Sequence, residues 1–245
     1  MSEHFARLLG AAVIGIGPAL AAVFFALRRF DRPHFEHTLF DDRRVFFAIA
    51  AGFLLGGVSL LASLFVRPLS LVDALLALLL LAAFEEGSKL VYLNRRGYRA
   101  RFDTTFVGVA LGGGVAAVGA FGKAYGVLGL GFVAPGVLLL LLIFSLSFAA
   151  LHVSTGALLG FGCAFGETFS RLLRVLLARA GYALVLLPFV ASGSPPGALA
   201  VASLVGACAF ALLFYQFIVR HILPKAVPED VRRQRRKTRR RAAVR

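Results

Sequence analysis

The sequence predicts an all-α fold, a polytopic transmembrane helix bundle of about seven spans with the N-terminus outside and the C-terminus inside. Three observations carry this. Of the 245 residues, 59% are hydrophobic and only 16% charged, and the mean hydropathy is +0.84, beyond what a water-facing surface tolerates. The apolar residues fall into runs of about 20, the length that crosses roughly 30 Å of hydrocarbon. The charges collect between those runs and are unequally shared by alternate gaps.

The runs are Leu8 to Leu27, Val45 to Val66, Leu71 to Leu93, Phe106 to Leu128, Val133 to Phe165, Leu172 to Ala191 and Ala198 to Val219. The first is too long for a signal-peptide core and lacks a small-residue cleavage site, so it is expected to be retained as a helix. The fifth exceeds one crossing. It is expected to be either one tilted helix or a re-entrant piece followed by a helix, starting near Pro135 and Gly136. Residues 1–223 form the expected helical domain. Residues 224–245 form a basic cytoplasmic tail, expected to be disordered.

Orientation follows from the arginines. One set of gaps holds Arg28, Arg29, Arg32, Arg43, Arg44, Arg95, Arg96, Arg99, Arg101, Arg171 and the tail, whereas the other holds little beyond Arg67 and Arg7. Short cytoplasmic loops carry the Lys and Arg excess, so the first set belongs inside. The net charge of +15 is accounted for by these flanks. The pattern gives no single basic face, which speaks against nucleic acid as a partner. The run Arg232 to Arg245 is expected to lie against anionic lipid headgroups. Cys163 and Cys208, both in apolar runs, build neither a disulfide framework nor a zinc knuckle. Gly112, Gly113, Gly114 and Gly119 in the fourth run are expected to let neighbouring helices approach closely.

Two runs contain groups that hydrocarbon does not tolerate alone. The third holds Glu85, Glu86 and Lys89, with the lysine three and four positions from the two acids and able to pair with either. The unpaired glutamate is then free to act as a base. The fifth run holds His152, the only histidine assigned to a span. Both runs are expected to point from outside to inside, so the acids and the imidazole can share one cavity and activate a water.

These residues resemble the PrsW family of intramembrane proteases, related to the CAAX-type membrane peptidases. The likeness runs from the first helix and its following loop (Pro18, the Arg28 to Arg32 stretch and Glu36) through the EExxK motif at Glu85, Glu86 and Lys89, Asp103 before a glycine-rich fourth helix, and His152 with Gly156 and Gly160. It implies hydrolysis of peptide bonds in membrane protein substrates. Glu85 and Glu86 would supply the base and its partner, Lys89 would hold them, and His152 would orient the water or stabilise the oxyanion. It also implies the plasma membrane of a prokaryote. The sequence departs from the family in two places, with Gly119 where a second glutamate is usual and with Arg179 to Ala183 where a further histidine and an Asp or Asn are usual. A divalent metal, described for some members, finds too few ligands here for a closed site. The alternatives are a catalytically inactive member that binds other membrane proteins and, third, a small carrier.

Overall fold

The computed structural model describes residues 3–30, 39–65, 69–131, 134–192 and 196–231, and all regular structure among them is helical. The helices are α1 (Glu3–Leu27), α2 (Asp42–Leu64), α3 (Leu71–Leu93), α4 (Thr104–Gly129), α5 (Pro135–Phe165), α6 (Thr168–Val190) and α7 (Ala198–Phe217). A π-helical turn, Ile218–Ile222, joins α7 to a last short helix, α8 (Leu223–Ala226). The Asp31, Arg32 and Glu36 part of the family likeness, Arg67 and the basic run from Arg232 lie outside the described residues.

Six stretches are long and apolar enough to cross a membrane by length and composition: α1, α2, α4, α5, α6 and the continuous Ala198–Ala226. α3 has 23 residues, the same length as α2 and α6, but carries Asp73, Glu85, Glu86 and Lys89. The side chains are arranged as a lipid solvent demands. Phe47, Leu54, Leu80 and Leu213 are 63 to 75% exposed, whereas Glu86 and Lys89 are at 0%. A polar group facing hydrocarbon has no partner, so polar groups turn inward and apolar ones outward. The chain is an integral membrane protein.

α4 is the axis of the bundle, flanked by α1, α2 and α5. Small residues make this possible. A Cβ on Gly112 would land on the backbone carbonyl oxygen of His152, and Gly108 faces Gly156 in the same way across the α4–α5 contact. Gly52 and Gly114 bring α2 onto α4. Of the four glycines singled out in the fourth run, Gly112 and Gly114 meet neighbouring backbones, whereas Gly113 and Gly119 make room for the Val23 and Phe148 side chains.

α5 is one unbroken helix of 31 residues, with Pro135 in its first turn and Gly166 closing it at φ 78, which settles the two readings of the fifth run. The proline lacks only a donor that a first turn leaves unused, and the glycine takes the left-handed conformation that ends a helix. At about 46 Å the helix exceeds the hydrocarbon thickness and must tilt or protrude. Leu223, Ala226 and Val227 are all buried in the main core, so the helical domain continues past residue 223.

The helix ends alternate between two faces of the bundle. At one, Arg44 reaches Asp103 at 3.5 Å and Gly97 O at 3.2 Å, and Ala100 N donates to Cys163 O at 3.1 Å. Arg101 also pairs with Asp103, and Phe30 and Phe40 pack on Phe106 with ring centroids 5.0 and 5.6 Å away. At the other face, Arg7 stacks on the Tyr125 ring and donates to the Tyr125 carbonyl. The first face collects the arginines that flank α2, α3, α4 and α6, and the second is arginine-poor.

Candidate functional site

The buried charges of α3 and α5 do converge, and a third helix joins them. Each of these helices is apolar along most of its length, so the residues that water would normally hold are forced to face one another. Glu85 is 6% exposed, Arg179 of α6 7%, and Glu86, Lys89, His152 and Thr155 are at 0%.

Lys89 fixes the inner half of the cluster. Its Nζ donates to Glu86 Oε1 at 2.8 Å and to Thr155 Oγ1 at 3.0 Å, and lies 3.0 Å from His152 Nδ1. An ammonium has three donors, and these three contacts use them all. His152 Nδ1 therefore accepts, so the neutral ring carries its proton on Nε2. That nitrogen lies 3.6 Å from Glu85 Oε2 and 3.1 Å from Arg179 Nη1. At 3.6 Å the Glu85 carboxylate is an electrostatic neighbour of Nε2 and not a hydrogen-bond acceptor for it. Thr155 Oγ1 lies 3.1 Å from Glu86 Oε1, to which its hydroxyl can donate.

Glu85 forms the outer half. Arg179 Nη2 donates to its Oε2, and Ser59 Oγ of α2 donates to its Oε1 at 2.5 Å. Arg179 Nε also lies 3.5 Å from Glu86 Oε1. With a neutral imidazole, two carboxylates face two cations and the formal charges cancel, the condition under which a buried ionic group survives. Two atoms of this cluster, Glu86 Oε2 and Arg179 Nε, are buried without a hydrogen-bond partner, and a bound water would satisfy such groups.

This changes the expected assignment. No glutamate is left over after Lys89 has chosen one, because Arg179 takes the other. The expected late-helix partners are indeed missing from residues 179–183, yet Arg179 itself enters the site. The signal was available: Arg179 sits about midway along an apolar run, where an ionisable group is a functional candidate by the same rule that selects Glu85. Ser59 offered no comparable signal, since hydroxyls are common in packed membrane helices.

A cavity of about 330 Å³ runs from this cluster toward the arginine-poor end. Its floor is made by Ser59, Glu85 and Arg179, and its walls by α2, α3, α4, α5 and α6, mainly with apolar side chains. Of the residues expected to act, only Glu85 lines it. Glu86 and Lys89 lie behind, and His152 is screened by Phe148, whose ring centroid is 4.2 Å from the imidazole. His152 thus stands 3.6 Å from Glu85 but does not line the cavity.

Gly119 also lines the cavity. A Cβ there would stand 2.7 Å from the Phe148 ring, so the place where an acidic side chain was expected is given over to the phenyl group that covers His152.

Lys123, one turn beyond Gly119, lines the same cavity. No cluster of three or more His, Cys, Asp or Glu side chains among the described residues is arranged to hold a metal ion. Glu85, Glu86 and His152 instead face Lys89 and Arg179, and an ion would have to displace those cations from the donors. Cys163 and Cys208 are both free thiols. Compared with known proteins, the chain matches no family model, no curated protein and no solved structure.

Proposed function

We propose that this chain is an intramembrane peptidase that hydrolyses a peptide bond of a membrane protein substrate, with Glu85 as the base. The observation that carries the reading is Glu85 itself, a carboxylate at the floor of a cavity, with an arginine bound to it and an imidazole behind it. In this reading a water at the floor gives its proton to Glu85 as its oxygen attacks the substrate carbonyl carbon. Arg179 faces the negative charge that develops on the carbonyl oxygen. The proton then passes from Glu85 to the leaving nitrogen as the C–N bond breaks.

Glu86, Lys89 and His152 are positioning residues here. They set the place and charge of Glu85 and Arg179 without meeting the substrate. The family resemblance of the EExxK and histidine helices supports the same reading, as does their convergence in space. In that setting the protein would work in the plasma membrane of a prokaryote, with its arginine-rich face in the cytoplasm.

The test is cleavage of a single-span peptide reporter by the protein purified in nanodiscs. Glu85→Gln is expected to reduce turnover by about 100-fold or more while the protein still melts cooperatively. Cleavage unchanged in Glu85→Gln would refute the assignment.

A second reading is favoured by one observation. Both Glu85 oxygens are already engaged, Oε1 by the Ser59 hydroxyl and Oε2 by Arg179, so a water arriving at the floor meets a carboxylate held by other donors. On that reading the protein binds a membrane segment in the same cavity and does not cut it. Reporter binding without cleavage, equal in wild type and Glu85→Gln, is its signature.

A further inference from the structure

Lys123 is the charge that the cluster does not absorb. It lies on the cavity face of α4, in a helix with no other charged residue, and is exposed to the cavity and its surroundings. Among the described residues it makes no ion pair. The only acid among the described residues of the cavity lining is Glu85, which is engaged by Arg179 and Ser59. The polar hydroxyls nearby have other partners and carry no charge to balance an ammonium. Ser63 donates to Leu60 O at 2.7 Å, and the Tyr182 hydroxyl accepts from Ser147 at 2.9 Å. With Glu85 and Arg179 cancelling, the lining carries one net positive charge, part of the way up an otherwise apolar shaft.

An unpaired ammonium beside hydrocarbon is unfavourable unless it reaches the interface or meets an anion. Lys123 stands about 9 Å along the helix axis from Gly129, and about 6 Å from the level of Gly119. An occupant that fills the shaft down to Glu85 therefore passes Lys123 before reaching the floor.

Resting on the peptidase reading, we propose that Lys123 is a specificity residue. It pairs with an acidic side chain of the substrate's membrane segment, on the arginine-poor side of the bond presented to Glu85. The apolar walls take the flanking side chains, and the fixed charge sets the register of the segment. Substrates would be single membrane segments with a lone Asp or Glu near one end, rather than uniformly apolar helices.

Binding separates this from the chemistry. Single-span fluorescent peptides carrying Glu, Gln or Lys one helical turn to the arginine-poor side of a central, uncleavable reduced amide are titrated against the wild-type protein in nanodiscs of zwitterionic lipid. The Glu peptide is expected to bind about 10-fold more tightly than the Gln peptide. Lys123→Gln should remove the difference, and Lys123→Glu should transfer the preference to the Lys peptide. Lys123 has no partner to lose, so these variants should melt as the parent does.

Equal binding of the three peptides, binding of none of them, or a preference that survives Lys123→Gln would overturn the proposal. So would an anionic lipid, added to the nanodiscs, that abolishes the Glu preference by occupying Lys123 itself. Wild-type protein that binds with the expected preference but never cleaves the ordinary amide forms of these peptides leaves this inference standing and sinks the hydrolase reading alone. Cleavage indifferent to the peptide's charge does the reverse.

Discussion

Removing Arg179 tests the electrostatic account of the cluster most directly. In Arg179→Met the Glu85 carboxylate, 5% exposed at its side chain, keeps Ser59 at 2.5 Å and the imidazole at 3.6 Å but loses its only direct cation. Breaking a buried pair by deleting one partner costs about 3–5 kcal/mol. Glu85 touches a cavity that can admit water, so the low end, about 3 kcal/mol, is expected. Glu85→Gln strands Arg179 instead, leaving Glu86 Oε1 at 3.5 Å as its nearest carboxylate oxygen. Its cost should be similar.

The double variant is the decisive measurement. Glu85→Gln with Arg179→Met removes one charge of each sign and leaves Glu86 and Lys89 balanced. Independent sites would add to about 6 kcal/mol. Coupled charges should leave the double variant no worse than either single one, a coupling energy of about 3 kcal/mol. Equilibrium unfolding of the four proteins in mixed micelles gives the cycle, provided that each unfolds in one transition. Additivity within about 0.5 kcal/mol would show that the two groups do not share a site, and the charge-balance argument would fail.

Three further outcomes are expected. Lys89→Met takes away the donor to Glu86, Thr155 and His152 together and should cost about 3–5 kcal/mol, read as loss of monodisperse protein on size exclusion. If Lys89→Met is as stable as wild type, the inner half of the cluster is wrongly assigned. Gly112→Ala presses a methyl onto the His152 carbonyl and should destabilise by about 1–3 kcal/mol. Gly57→Ala, in α2 with open space at its Cβ, should stabilise by about 0.5–1 kcal/mol, and the opposite signs are checked in one unfolding series. Single cysteines at the exposed positions Arg96 and Leu130, in a background where Cys163 and Cys208 are Ser, should label from opposite sides of the membrane. With the arginine-rich face inside, only the cysteine at 130 reacts with an impermeant maleimide in intact cells, and labelling at 96 would reverse the orientation.

How much of this the sequence carried can be said residue by residue. The spans were legible because hydrocarbon thickness imposes a length, and each apolar run had to meet it. Gly112 and Gly114 of α4 were legible as places of close approach, since only a residue without a side chain lets two backbones meet. Glu85, Glu86, Lys89 and His152 stood out because a charge or imidazole inside an apolar run needs a reason to be there. Their partners did not follow from this. Pairing within α3 was the choice visible from spacing, and it left a free glutamate that Arg179 in fact holds from a helix far along the chain.

Sequence by itself determined the solvent, the approximate places of the seven long helices and the residues that could not face lipid, and left open whether the fifth run was one helix. Only the tertiary structure decided which helices bring those residues together, that Glu85 alone of the predicted set lines the cavity, and that Phe148 fills the room left by Gly119. The division has a physical cause. Crossing the bilayer is a property of each segment, since every backbone hydrogen bond is made within its own helix. Pairing buried charges is a property of the packed bundle, and it depends on helix rotation and depth, which small residues at the α4 contacts set.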